Sequence, residues 1–268
     1  MIEQIPIKSV SELIQSLNEL PNNFIYRGQA NAEWPLQSSL ERIVGKKWSQ
    51  QQAQKFEEYS LLQFQSKYHL YNRENLQPNS KLAWLAAMQH YGVPTRLLDF
   101  SESPYVALYF ALEAYDAQSE QDFGIYALDY TGIMNQSIHH IAGRDRGFKE
   151  DHFSVCNNHD GIFDDIVDRF SYDVAWIAEP KQLNLRLDRQ AGSFLISGNK
   201  GLKIADVLNA RLYADVKMYK FCIDSELYTG IFTLLRKMNI TSKSIYGDLD
   251  GLSRSIKMQL QIYSREVT

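Results

Sequence analysis

Gln89-His90-Tyr91-Gly92-Val93-Pro94-Thr95-Arg96-Leu97-Leu98-Asp99-Phe100-Ser101-Glu102-Ser103-Pro104 compresses a helix stop, an apolar strand and a new helix start into one junction. Gly92 stands where helices commonly turn left-handed and end. Val93-Pro94 then forces extended backbone, and Thr95 to Phe100 reads as a buried strand. Ser101 or Ser103 can accept the free N–H groups of a helix beginning at Pro104, because proline fits the first helical turn and has no N–H to leave unpaired. Upstream, Phe24-Ile25-Tyr26-Arg27-Gly28-Gln29 ends a strand-like run on an arginine and a glycine. Two strand ends can therefore present Arg27, Arg96, Asp99 and Ser101 to one cleft. Arg96 and Asp99 stand three apart in a strand and point to opposite faces, so Asp99 is assigned to the cleft with Arg27, and Arg96 to a structural ion pair.

Outward from this junction, Ser9 or Ser11 caps a helix whose Val10, Leu13, Ile14 and Leu17 follow helical spacing until Pro21-Asn22-Asn23 breaks it. Residues 1–20 are thus read as an N-terminal helix. Residues 51–71 form a second helix with Phe56, Tyr59, Leu61, Leu62 and Phe64 as its apolar stripe, and Ser80 to Tyr91 a shorter one. Phe123 to Tyr130, Val174 to Ile177 and Tyr219 to Ile223 read as strands. Leu185 to Ile196 leads past Arg186, Arg189, Gln190 and Gly192, with Asn184 just before it, into the apolar pair Phe194-Leu195. Helices are expected at Ser225 to Met238 and Leu249 to Tyr263. The stretch 132–173 is charged and lacks sustained periodicity, so it is read as an insertion or a lid.

The chain has 268 residues, 44% hydrophobic and 22% charged, enough for a large core. A formal net charge of -4 argues against nucleic acid or an anionic membrane as the partner. With two cysteines, Cys156 and Cys222, a reducing compartment and a soluble, cytoplasmic protein are expected. No Walker loop, dinucleotide glycine fingerprint or Gly-x-Ser-x-Gly elbow occurs, which argues against the common nucleotide hydrolases, dehydrogenases and esterases. His139, His140, His152, Cys156 and His159 lie in one stretch, but their spacing fits no compact set of ligand pairs, and no metal site is expected.

Five pieces of the chain resemble the FRG domain family: Phe24-Ile25-Tyr26-Arg27-Gly28-Gln29; Trp34-Pro35-Leu36 with Ser39-Leu40; Gln89 to Phe100; Ser103-Pro104 with Ala107-Leu108-Tyr109-Phe110-Ala111; and Arg189-Gln190-Ala191-Gly192-Ser193-Phe194. The resemblance runs in order from about Phe24 to about Lys257, so residues 21–268 are expected to form the domain. A second resemblance is to mono-ADP-ribosyltransferases of the Arg-Ser-Glu type. There a Tyr-Arg-Gly strand supplies an arginine to NAD, a Ser-x-Ser strand end precedes a Val-Ala-x-x-Phe helix, and a later strand supplies a glutamate. This chain has Tyr26-Arg27-Gly28, Ser101-Glu102-Ser103 and Val106-Ala107-Leu108-Tyr109-Phe110 in the same order, with Gln190 in the third place.

This second resemblance implies an α+β fold: a split, mainly antiparallel sheet flanked by helices, with an ADP-ribosyltransferase-like core. It implies NAD as substrate, a transferase or NAD-cleaving activity in a bacterial toxin or antiphage setting, and a macromolecular acceptor or protein partner. Arg27, Ser101, Gln190 and Asp99 take the catalytic places. Arg27, Gly28, Gln29, His90, Tyr91, Thr95, Ser103 and Tyr109 line the nucleotide, with Tyr91, Tyr105 or Tyr109 stacking on nicotinamide.

Breaking the nicotinamide glycosidic bond passes through an oxocarbenium-like state, which calls for positioned phosphates, a fixed ribose and negative charge near the developing cation. Arg27 can hold pyrophosphate or ribose by bidentate donation. Gln190 departs from the pattern, because an amide cannot supply the charge of a glutamate. Either Asp99, Glu102 or Glu179 substitutes, or the cleft binds without turnover, as a non-catalytic nucleotide- or partner-binding module. Plainer roles stand beside these: Arg27 pairing with Asp99 or Glu41, Ser101 and Ser103 as helix caps, and His90 against the negative end of its helix dipole.

Overall fold

The computed structural model describes residues 2–72, 77–116, 119–179 and 189–267. Among them, seven strands build one sheet: β1 (Glu3–Ile7), β2 (Phe24–Gln29), β3 (Leu98–Ser101), β4 (Phe123–Asp129), β5 (Ala175–Ala178), β6 (Gly192–Ser197) and β7 (Met218–Ile223). Their order is β1-β7-β4-β2-β3-β6-β5. β1 runs parallel to β7, and every other pairing is antiparallel. The ladder is narrowest at its middle. β2 and β4 pair along the whole of β2, whereas β2 and β3 share only Tyr26↔Ser101. The sheet, mainly antiparallel and flanked by helices as expected, therefore hinges on one residue pair between β1-β7-β4-β2 and β3-β6-β5.

The N-terminus departs from the expectation of a helix alone. Glu3–Ile7 is an edge strand, and Pro6 inside it hid the strand signal, since proline is tolerated in a ladder chiefly at an edge. The helix α1 (Val10–Asn18) follows, with Ser9 Oγ accepting from Glu12 N at 3.1 Å. The helix α3 (Gln50–Tyr71) keeps only part of its expected stripe: Leu61 and Phe64 pack against the core, Phe56, Tyr59 and Leu62 are exposed, and Ala53 and Glu57 are the buried residues. Its buried face meets an arginine, so a carboxylate rather than a leucine goes inside.

The stretch 132–173 is largely helical, where the sequence showed no sustained period. It contains most of α6 (Tyr130–Arg144), then α7 (His152–Asn157), α8 (His159–Ile162) and a π-helical turn, Phe163–Asp168. Ile133, Met134, Ile141, Val155 and Phe163 from this stretch lie in one core with Leu98, Phe100 and Leu195 of the sheet. Short helices joined by bends break the period that a longer amphipathic helix would show.

Alternation along β2 divides the molecule. Ile25 faces that first core, and Phe24 and Tyr26 face a second core beneath α5 (Pro104–Ala114) and the helices Tyr228–Lys237, Ser242–Tyr246 and Leu249–Val267. Gly28 lets α5 lie directly on β2: a Cβ there would come within 1.9 Å of the Ala107 carbonyl oxygen. Among the described residues, no helix is long and apolar enough to cross a membrane.

Candidate functional site

The junction around Pro94 is stitched by its own side chains. Gly92 takes φ +79° at the end of the helix α4 (Lys81–His90). Gln89 Oε1 accepts from Thr95 Oγ1 at 2.6 Å, and its Nε2 donates to Asp99 Oδ2 at 2.9 Å. Thr95 N donates to Ser39 Oγ at 3.0 Å, and Thr95 O accepts from Leu40 N, which ties the junction to α2 (Ser39–Val44). These bonds hold Thr95 to Leu97 outside the ladder, so β3 begins at Leu98 and not at Thr95.

Arg27 occupies the seam where β2 and β3 part. Beyond Tyr26↔Ser101 the strands no longer pair, and Arg27 Nη1 donates to the Asp99 backbone oxygen at 2.7 Å, with Asp99 Oδ2 at 3.9 Å. Its Nε is buried with no partner among the described residues. Burial pushes the guanidinium pKa down, Asp99 pulls it back up and the charge of Arg42 lowers it again. On the same sheet face, Arg27 pairs across to Tyr126 and Tyr126 to Lys220. Lys220 is 6% exposed, and its ammonium lies 5.0 Å from the Tyr126 ring centroid and 3.4 Å from the Trp34 carbonyl oxygen. Burial pushes the Tyr126 phenol up to about 12.

Ser101 and Gln190 do come together, through the backbone. Ser101 Oγ donates to the Gln190 carbonyl oxygen at 2.7 Å and accepts from Ser103 N at 3.1 Å. The Gln190 carboxamide Nε2 is buried without a partner among the described residues. Since Ser101 pairs with Tyr26, it shares the face of Tyr26, and Arg27 points to the other. The seam thus has a guanidinium on one side and the hydroxyl on the other.

Several residues expected around a nucleotide have structural positions instead. Tyr109 is buried in the second core, its hydroxyl 2.6 Å from Glu113 Oε1 and 2.8 Å from Ser242 Oγ. Gly28 serves the approach of α5. Thr95 is buried in the junction, and Ser103 caps α5 by accepting from Val106 N at 3.3 Å. Gln29 Nε2 donates to the Pro35 carbonyl at 3.2 Å. Tyr91 is exposed, with its ring edge-on to His90. Asp99 is half exposed. Arg186 and Asn184 lie outside the described residues.

Arg96 lies wholly inside. Its Nε and Nη2 meet Glu57 at 2.5 and 3.2 Å, Nη2 also meets Asp168 Oδ1 at 2.6 Å, and Nη1 donates to the Ser197 carbonyl at 3.0 Å. Lys81 bridges Glu57 and Asp168, and Lys200 completes the group at 2.9 Å from Asp168. Burial alone would raise both carboxyl groups, yet Arg96 and Lys81 outweigh it and hold Glu57 and Asp168 below the usual carboxylate range.

The sequence reading missed Lys220 and this network. The signal for Lys220 was a lone cation in the apolar run Tyr219-Lys220-Phe221. Glu57 carried no comparable mark, because a glutamate on a long helix is ordinarily solvated.

Residues 22–120 match the FRG domain family. Comparison with curated proteins returned no match, nor did comparison with solved structures.

Proposed function

We propose that this FRG domain binds NAD at the seam of β2, β3 and β6 and breaks its nicotinamide–ribose bond, passing ADP-ribose to water or to a macromolecular acceptor. The strand order carries the reading. β2, β3 and β6 are successive neighbours, so the Tyr26-Arg27-Gly28, Ser101 and Gln190 stretches follow one another in the order of the Arg-Ser-Glu resemblance around one seam, with the Arg27 guanidinium and the Ser101 hydroxyl on its opposite faces. Arg27 adds a mostly buried guanidinium with an unpartnered N–H, suited to a phosphate oxygen through a charge-assisted bond. The toxin or antiphage setting follows from the resemblance alone.

A second reading, a nucleotide- or partner-binding module without turnover, is favoured by one observation. Gln190 offers a carboxamide where the chemistry calls for charge, and loss of such a stabiliser costs on the order of 100- to 1,000-fold in rate. Calorimetry with NAD and ADP-ribose, together with nicotinamide release from labelled NAD, separates the two. Under the leading reading the wild type binds and cleaves NAD, while Arg27→Ala binds at least about tenfold more weakly, about 1.4 kcal/mol. Binding without release selects a nucleotide-binding module, and no binding at all overturns both nucleotide readings.

A further inference from the structure

We infer that Glu179, with Glu102 beside it, is the carboxylate that does in this site what Gln190 cannot. The inference rests on the NAD reading above and selects among Asp99, Glu102 and Glu179.

Three strand ends meet at one edge. Ser101 at the end of β3 pairs with Gly192 at the start of β6, and Glu102 N donates to the Ala191 carbonyl at 2.9 Å, immediately after Gln190. Ala178, the last residue of β5, pairs with Phe194. Glu179 is the next residue beyond that pair, and Ser193 is the residue before Phe194 on β6. Ser193 is 1% exposed, and its hydroxyl has no partner among the described residues. A buried hydroxyl without a protein partner is the kind of group a ligand's hydroxyl or a water satisfies.

Other titratable groups close the cluster. Burial first, and then the nearby Cys156 of α7, Glu179 and Glu102, push the phenol of Tyr130, in the first turn of α6, above its ordinary range. His152, one helical turn before Cys156, has its ring 5.6 Å from that of Tyr130. Burial first, and the charge of Glu102 second, raise the Glu179 carboxyl above its ordinary range. Asp99 is the weaker choice, because its carboxylate already accepts from Gln89 and faces the Arg27 charge.

The step balances without a further reagent class. The C1′–N bond of NAD breaks with its electron pair passing to the pyridinium nitrogen, which leaves as neutral nicotinamide. Ionised Glu179 stabilises the ribosyl cation and takes the proton from the attacking oxygen of water or an acceptor as the C1′–O bond forms.

Nicotinamide release across the acid and neutral range, together with NAD calorimetry, tests this on the wild type, Glu179→Gln, Glu179→Asp and Glu102→Gln. The wild type is expected to bind and cleave. Glu179→Gln should lose about 100-fold or more of turnover with NAD affinity held within a few-fold, and Glu179→Asp should keep part of the rate. Because Glu102 raises Glu179, Glu102→Gln should move the acid limb of the rate profile to lower pH. Wild-type cleavage that persists in Glu179→Gln overturns this inference and leaves the NAD reading intact. A wild type that binds without cleaving overturns the inference and selects the module, and one that does neither overturns the NAD reading as well.

Discussion

Two arginines of the same chain, each set in a motif and each largely withdrawn from water, are treated in opposite ways. Arg96 meets two carboxylates and a carbonyl, and two lysines complete the charge group around it. Arg27 has a single short bond, to the backbone oxygen of Asp99, and a buried N–H with no partner among the described residues. A closed network locks α3, α4, the turn Phe163–Asp168 and the end of β6 together. An incompletely satisfied cation is a standing demand for an anion. The difference teaches that motif membership alone does not distinguish the two arginines, whereas the tally of satisfied donors does.

The largest expected effect comes from breaking the closed side of the comparison. Arg96→Ala leaves Glu57 and Asp168 buried beside fewer cations, and removing one partner of such a group costs about 3–5 kcal/mol. At this chain length that lowers the melting temperature by roughly 6–20 °C. Arg27→Ala removes one hydrogen bond at a partly open seam, with an expected cost of about 1–2 kcal/mol. Thermal or urea unfolding of the two variants measures the contrast directly. If Arg27→Ala proves as destabilising as Arg96→Ala, Arg27 is a structural clamp and the contrast fails.

Acid should narrow the gap between wild type and Arg96→Ala. Glu57 and Asp168 are held below the usual carboxylate range in the fold. Their stabilisation is therefore fully present above the unfolded pKa near 4 and is lost as pH falls through the lower folded values. The Arg96→Ala variant, without the guanidinium that holds them down, has less to lose over that window. Melting temperatures of both proteins from neutral to acid pH check the sign; a gap that widens in acid would refute the assignment.

How legible the chain was follows the same divide. Local grammar carried far: Gly92, Pro94, Ser103 and Pro104 marked the helix stop, the strand and the cap that the structure contains. Most individual strands were legible as short apolar runs between turn signals, whereas their mainly antiparallel arrangement was expected from the family resemblance. What escaped depends on distant partners. Periodicity counts apolar residues, so it turned α3 toward Phe56 and Tyr59 when the residue inside was Glu57, matched to Arg96 from another part of the chain. β1 escaped because its ladder is supplied by β7, more than 200 residues away. Glu102 and Glu179 were named among the candidates, but only the meeting of β3, β5 and β6 at one edge sets them above Asp99.

The smallest effect bears on the border of the site. Ser103 was expected to touch the nucleotide, and the structure has its hydroxyl accepting from Val106 N at the start of α5. A cap of this kind is worth about 1 kcal/mol, so Ser103→Ala should lower stability by that amount, less than either arginine variant. Its hydroxyl is already engaged, so NAD affinity should remain within about twofold, a difference near 0.4 kcal/mol. Unfolding and calorimetry on the one variant read both quantities. A loss of affinity well beyond twofold, with stability unchanged, would mean that the Ser103 hydroxyl leaves the helix for the ligand, and the border of the site would then extend from the Arg27 seam to the first turn of α5.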